Sequence, residues 1–308
     1  MSPSDQSLIG RGGRRPVGVE VEFGGLDAER AADAVRRRFG GTIRRSGAHR
    51  LYVDDTELGR FKVELDWDWV HAVDDDTGFM NKAKQLLGDI GREVVPTEVV
   101  TPPMPAGRLP ELDSLVADLA RLGAEGTRSG LLYGFGLHLN PALGPADLDA
   151  GPIRRVLQAY MLAAPALRAA IDVPPMRALL PFVEPFPPGY VELVLAPDYD
   201  PPLPQLIDDY LRLNPTRNRE LDLLPLFAEL DGERVRRMVP DPHVSARPTF
   251  HWRLPNADFE SPDWTVAGQW ARWLQVERAA LDADELAERL AERQRTNARR
   301  ESLWASLF

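Results

Sequence analysis

Six side chains able to hold a cation recur at alternate positions of short apolar runs. They are Glu20 and Glu22 in Gly18-Val19-Glu20-Val21-Glu22-Phe23, Glu64 in Phe61-Lys62-Val63-Glu64-Leu65-Asp66, and Glu98 in Glu98-Val99-Val100. His138 lies in Gly136-Leu137-His138-Leu139-Asn140, and His251 in Phe250-His251-Trp252-Arg253. Residues two apart on a β-strand share a face. Each run therefore pairs an apolar face, such as Val19, Val21 and Phe23, with a face bearing a possible ligand. If the five runs join one sheet, a single face gathers four carboxylates and two imidazoles, with Lys62, Asn140 and Arg253 beside them. Carboxylates crowded in this way repel one another unless cations lie between them. Hard divalent ions with oxygen ligands, Mg²⁺ or Mn²⁺, answer that need, and the histidines move the choice slightly toward Mn²⁺. A sheet with one wet face alternates in the same way. What distinguishes this face is that it is built of Glu and His rather than Thr, Ser, Lys and Arg.

The elements that must position these residues are legible along the chain. The alternation predicts strands at 17–23, 52–53, 61–65, 94–100, 132–139 and 249–254. Helical spacing covers 27–39, stopped by Gly40-Gly41, and then 76–92 and 109–122. An alanine-rich amphipathic helix is expected at 153–171, followed by a proline- and aromatic-rich connection over 174–204. Short helices are predicted at 206–213, 220–230 and 233–238, then longer ones at 264–280 and 282–300. The expectation is an α+β fold: a tail at 1–15, a catalytic domain at 16–280 with a helical insertion at about 145–245, and a helical arm at 281–308.

Composition bounds the function. The chain has 308 residues, 44% of them hydrophobic and 27% charged, as in a globular protein with a sizeable core. There is no cysteine, which excludes disulfides, zinc–thiolate sites and cysteine nucleophiles. The net charge of −10 argues against nucleic acid as a partner. No apolar run approaches the roughly 20 residues of a membrane span. Residues 1–15 lack the apolar stretch of a secretory leader, so a cytoplasmic location is expected. Neither a Gly-x-x-x-x-Gly-Lys-Ser/Thr phosphate loop nor a Gly-x-Ser-x-Gly elbow occurs. His49, His71 and His243 read as surface histidines, and Asp74-Asp75-Asp76 as a solvated turn. Trp264, Trp270 and Trp273 read as core anchors. Arg217, Asn218 and Asp222 suit either amino-acid recognition or helix capping.

In this order, the runs above resemble the amidoligase family, related to glutamate–cysteine ligase and glutamine synthetase. Glu98-Val99-Val100-Thr101-Pro102, Asn214 to Asp222 and Arg247-Pro248-Thr249-Phe250-His251-Trp252-Arg253 extend the likeness. The resemblance implies a curved, mainly antiparallel sheet with helices on its convex face and ATP and metal ions on the concave one. It implies that Glu20, Glu22, Glu64, Glu98 and His138 are metal ligands or close to them. Glutamate–cysteine ligases carry Glu-x-Arg on the last strand; this chain has His251-Trp252-Arg253. The implied activity is ATP-dependent amide-bond formation between a small-molecule amine and a carboxylate or peptide, through an acyl phosphate. Arg253, with Glu20 and Glu22, would serve catalysis. Asn140, Lys62 and Arg253 would meet the nucleotide, and His251 would complete the metal ligands. A guanidinium suits the transferring phosphoryl group because its planar fork matches phosphate oxygens. A silent relative that binds nucleotide, metal or peptide, and a metal-dependent amide hydrolase, remain as alternatives.

Overall fold

The computed structural model describes residues 14–47, 49–65, 96–129, 134–174, 177–178 and 183–305. The predicted helix at 76–92, Asp66, His71, Asp74-Asp75-Asp76 and the start of the strand at 132 lie outside the described residues.

Among the described residues, the framework is an open, antiparallel, nine-stranded sheet. Strand β1 (Pro16–Phe23) is central. Helix α1 (Ala28–Phe39) follows it, and then β2 (Thr42–Arg45), β3 (Arg50–Thr56), β4 (Gly59–Leu65), β5 (Thr97–Val100) and the short β6 (Met104–Pro105). After α2 (Leu109–Arg121) come β7 (Leu137–Pro141), α3 (Ala150–Ile171), α4 (Pro188–Val194) and α5 (Leu203–Leu213). The chain continues through β8 (Leu221–Asp222), α6 (Leu224–Leu230), α7 (Gly232–Met238), β9 (His251–Trp252), α8 (Val266–Leu281) and α9 (Ala283–Ala305). The strand order is β2-β3-β4-β5-β1-β7-β9-β8, with β6 paired to the start of β1. The fold class is thus α+β with a mainly antiparallel sheet.

One sheet face is the core. Val17, Val19, Val21 and Phe23 of β1 are buried, as are Phe61, Val63, Val99, Leu137 and Leu139. Each side chain buried in this way contributes roughly 1.5–3 kcal/mol. Helix α1 covers part of this face because Ala28, Ala31, Ala32, Val35 and Phe39 make one buried stripe. The Asp27 carboxylate caps its start by accepting from Arg30 N at 2.8 Å. Gly40, at φ 74°, ends it in a conformation that favours glycine. Phe39 stacks on Phe61 at 5.3 Å, tying helix to sheet. On the other half of the sheet, Trp252 of β9 packs against Trp273 of α8 with ring centroids 5.6 Å apart. That contact faces Trp252 inward and leaves its neighbour His251 on the opposite side.

The segment predicted as a helix over 220–230 begins as a strand. Glu220 N donates to Glu184 O and Arg253 N donates to Glu220 O, so the backbone is already committed to sheet pairing. Pro225 is tolerated only in a first helical turn, and helix α6 accordingly starts at Leu224. Of the strand predicted over 94–100, Thr97–Val100 is found, and residues 94 and 95 lie outside the described residues.

The ends of the chain are tied down where they are described. Arg15 is buried and paired with Glu277 of α8 at 2.5 Å. Leu286 and Leu290 anchor α9, and Arg293 pairs with Glu192 of α4. Among the described residues, no helix is long and apolar enough to cross a membrane.

Candidate active site

The strand register decides which polar residues meet. Strands β4, β5 and β1 set Glu64, Glu98 and Glu22 side by side in one row, with Glu64 opposite Glu98 and Glu98 opposite Glu22. In the next row Lys62 and Glu20 both lie opposite Val100, and Glu20 lies opposite His138. Gly18 faces Asn140 one step further along. Side chains opposed in this way have Cβ atoms about 5 Å apart. Two bare carboxylates at that distance repel by on the order of 3 kcal/mol at an effective dielectric near 20. The row therefore requires positive charge.

The protein supplies some of it. Glu64 is held by both Arg50 and Lys62. Burial opposes the Lys62 charge, but Glu98, Glu64 and Glu20 overcome it and raise the ammonium pKa. At the other end, His138 Nδ1 lies 3.2 Å from Glu20 Oε2, and its Nε2 lies 3.4 Å from Glu22 Oε1. Glu22 also accepts from Gly136 N at 2.7 Å. Glu20 accepts from Asn140 Nδ2 at 2.9 Å and faces Arg247 at 3.6 Å. Burial alone would push the Glu20 carboxyl up. The His251 and His138 rings and Arg247 outweigh that and hold it well below the usual carboxylate range.

His251 completes the group from β9. Its Nδ1 is 2.5 Å from Asn140 Oδ1, and its ring meets the edge of His138 at 5.2 Å. Burial, and then the Arg253 charge, push the His251 ring well below the usual histidine value, against the pull of Glu20. Two sets of donor atoms lie within 4.8 Å of one another: Glu20, His138 and His251, and separately Glu22, Glu98 and His138. These oxygen and imidazole donors fit a divalent cation. The structure thus draws Glu20, Glu22, Glu98, His138 and His251 together with Asn140. Glu64 and Lys62 stand further along the sheet, paired with each other and outside both sets.

Arg253 sits at the β8 edge, with Nη2 3.7 Å from Asp222 Oδ2. Asp222, opposite His251 in the register, also accepts from Leu224 N at 2.9 Å, where α6 begins. Its burial pushes its pKa up to about 6 despite Arg253. The Nε atoms of Arg253 and Arg247 are buried and have no hydrogen-bond partner among the described residues. Two guanidinium donors lacking an acceptor beside carboxylates are suited to an anion such as phosphate.

Two residues here escape the strand-pattern argument. Arg247 has no predicted role, although it lies four positions before His251 in a quoted motif. Arg177 comes from the proline-rich connection, where no periodicity marks it. It is buried, donates to the carbonyls of Arg253 (2.6 Å) and Leu254, and reaches Asn256 Oδ1 at 3.1 Å. It therefore fixes the backbone that carries Arg253. Burial, partly offset by Glu22, lowers its pKa to about 10.

Fold and face together define an α+β protein whose sheet carries carboxylates, imidazoles and guanidinium groups on its polar side. The family described as "Putative amidoligase enzyme" matches residues 13–275, most of the chain, and the protein belongs to that family. No curated protein and no solved structure matches it.

Proposed function

We propose that the protein is an ATP-dependent carboxylate–amine ligase that uses divalent metal ions. The observation that carries this reading is the junction of two features on one sheet face: two cation-ligand sets and two buried arginine Nε donors without an acceptor among the described residues. Membership of the amidoligase family supports it.

A carboxylate is a poor acyl donor because oxide is a poor leaving group. Phosphorylation by ATP removes that obstacle: a carboxylate oxygen takes the γ-phosphoryl group and ADP leaves. The amine then attacks the acyl carbon, the carbon–oxygen bond breaks, and phosphate departs with that oxygen. Glu20, Glu22, Glu98, His138 and His251 would hold metal ions, which, when bound, offset the repulsion between carboxylate and polyphosphate. Arg253 and Arg247 would take up charge on the transferring group. Asp222 and Arg177 would position Arg253 from its side chain and its backbone. Asn140 and Lys62 would orient the nucleotide or the substrate.

The test is ADP release by the purified protein with ATP and Mg²⁺ or Mn²⁺ against pooled amino acids and amines. Glu20→Ala and Glu22→Ala are expected to abolish ADP release while keeping the fold. ADP release retained in both variants would overturn the assignment. The set Glu20–His138–His251 favours a second reading, metal-dependent amide hydrolysis, because two histidines and a glutamate are a ligand combination of hydrolytic zinc sites. Cleavage of amides without nucleotide would select it.

A further inference from the structure

We propose that Glu20, His138 and His251 form a site for one first-row transition ion, of the Zn²⁺, Co²⁺ or Mn²⁺ type, and that this site discriminates against Mg²⁺. The inference rests on the reading that this face carries cations, and it adds which cation and through which atoms.

Hydrogen bonding fixes the tautomer of His251. Asn140 points its Nδ2 at Glu20 Oε1, 2.9 Å away, because only the amide nitrogen can donate to a carboxylate. Its Oδ1 must then face His251 Nδ1, 2.5 Å away, and Nδ1 must carry the hydrogen. The lone pair of His251 is therefore on Nε2. A ligating histidine whose other nitrogen donates to a fixed oxygen is the usual outer-shell arrangement of a metal site.

His138 poses a complementary problem. Each of its ring nitrogens faces a carboxylate oxygen, Glu20 at 3.2 Å and Glu22 at 3.4 Å. A ring carrying a single N–H, given through Nε2 to Glu22, turns the lone pair on Nδ1 toward Glu20, and a cation between them would meet both. The separation of 3.2 Å is close to the roughly 3.4 Å between two ligands of a tetrahedral ion with bonds of about 2.1 Å. One lone pair cannot serve both donor sets at once. The tighter site is the one with two imidazoles, since nitrogen donors favour transition ions while Mg²⁺ prefers oxygen and keeps its waters. Glu22 and Glu98 are then left as an all-carboxylate pair for a hard ion.

The experiment strips the full-length protein with a chelator and titrates it with Co²⁺ in the absence of nucleotide, reading the visible absorption bands of the bound ion. One Co²⁺ per chain is expected, retained in millimolar Mg²⁺. His251→Ala should weaken binding by at least about 10–100-fold, and Asn140→Ala, which releases the tautomer lock and the hydrogen bond to Glu20 but no ligand, by about 10-fold. His251→Glu should bring Mg²⁺ into competition. Unchanged Co²⁺ affinity in His251→Ala and Asn140→Ala, whichever of them folds by circular dichroism, would overturn the proposal. So would displacement of Co²⁺ by an equal concentration of Mg²⁺. ADP release is read separately, so the metal assignment and the ligase reading stand or fall independently.

Discussion

Gly136 offers a test of how tightly the site is built. An alanine Cβ there would stand 2.7 Å from Arg177 Nη2 and 2.9 Å from His138 Nε2. Comfortable contact begins near 3.5 Å, so each neighbour must yield by roughly half an ångström or more. Neither is at liberty to do so. Arg177 is held by the carbonyls of Arg253 and Leu254 and by Asn256, and His138 is wedged between Glu20 and Glu22. Gly136→Ala should therefore cost about 1–3 kcal/mol, the usual range for overpacking. That lowers Tm by a few degrees. Displacing the His138 ring should also reduce turnover by about 10–100-fold, since about an ångström of misplacement costs that much. Gly189→Ala is the control, because a Cβ at that position meets nothing within 4 Å among the described residues. Thermal denaturation and ADP release would be measured on both variants. A Gly136→Ala protein that matches the wild type in Tm and in turnover would refute the reasoning.

Three more outcomes are expected. Asp222 has a folded pKa of about 6 against a usual 3.8. Its contribution to stability is therefore full below about pH 4 and is lost as pH rises through 6, by about 3 kcal/mol; the Tm of Asp222→Asn relative to the wild type should climb over that window, and a flat difference would contradict this. Glu277→Ala takes from the buried Arg15 the carboxylate it pairs with and removes the acceptor of Trp273 Nε1 at 2.7 Å. Urea unfolding should show a loss of about 3–5 kcal/mol, and a loss below about 1 kcal/mol would count against a buried charge there. Arg253→Lys keeps the charge but not the fork that matches phosphate oxygens; kcat should fall by about 100-fold, and an unchanged kcat would remove Arg253 from phosphoryl contact.

Much of the sheet is legible because its strands alternate strictly. Strand β1 is read at 17–23 and found at Pro16–Phe23, since Val and Glu interleave without interruption. Helix α1 is equally plain, with Asp27 to start it and Gly40 to stop it. Strand β2 carries no such signal: Thr42, Ile43, Arg44 and Arg45 show no buried face, and only pairing with β3 makes them a strand. Residues 220–230 mislead for the opposite reason. Leu221, Leu223, Leu224, Leu226 and Phe227 imitate a helical stripe, while distant partners, Glu184 and Arg253, pull the first residues into the sheet. Candidate ligands could be chosen from their alternation, but not the groups they form. His138 meets Glu20 across 118 positions only because β1 lies between β5 and β7. Arg177 acts from a helical stretch of the proline-rich connection and Arg247 from a loop, and no alternation marks either.

The central claim is that a substrate carboxylate on this face accepts a phosphoryl group from ATP. It is tested most directly with amino acids labelled with ¹⁸O in their carboxylates, incubated with amines, ATP and Mn²⁺, followed by mass analysis of the phosphate released. An acyl phosphate that breaks at its carbon–oxygen bond leaves one ¹⁸O in each phosphate formed, and this is the predicted result. Phosphate released without the label would mean that water, not a carboxylate, had taken the phosphoryl group, and would contradict the account.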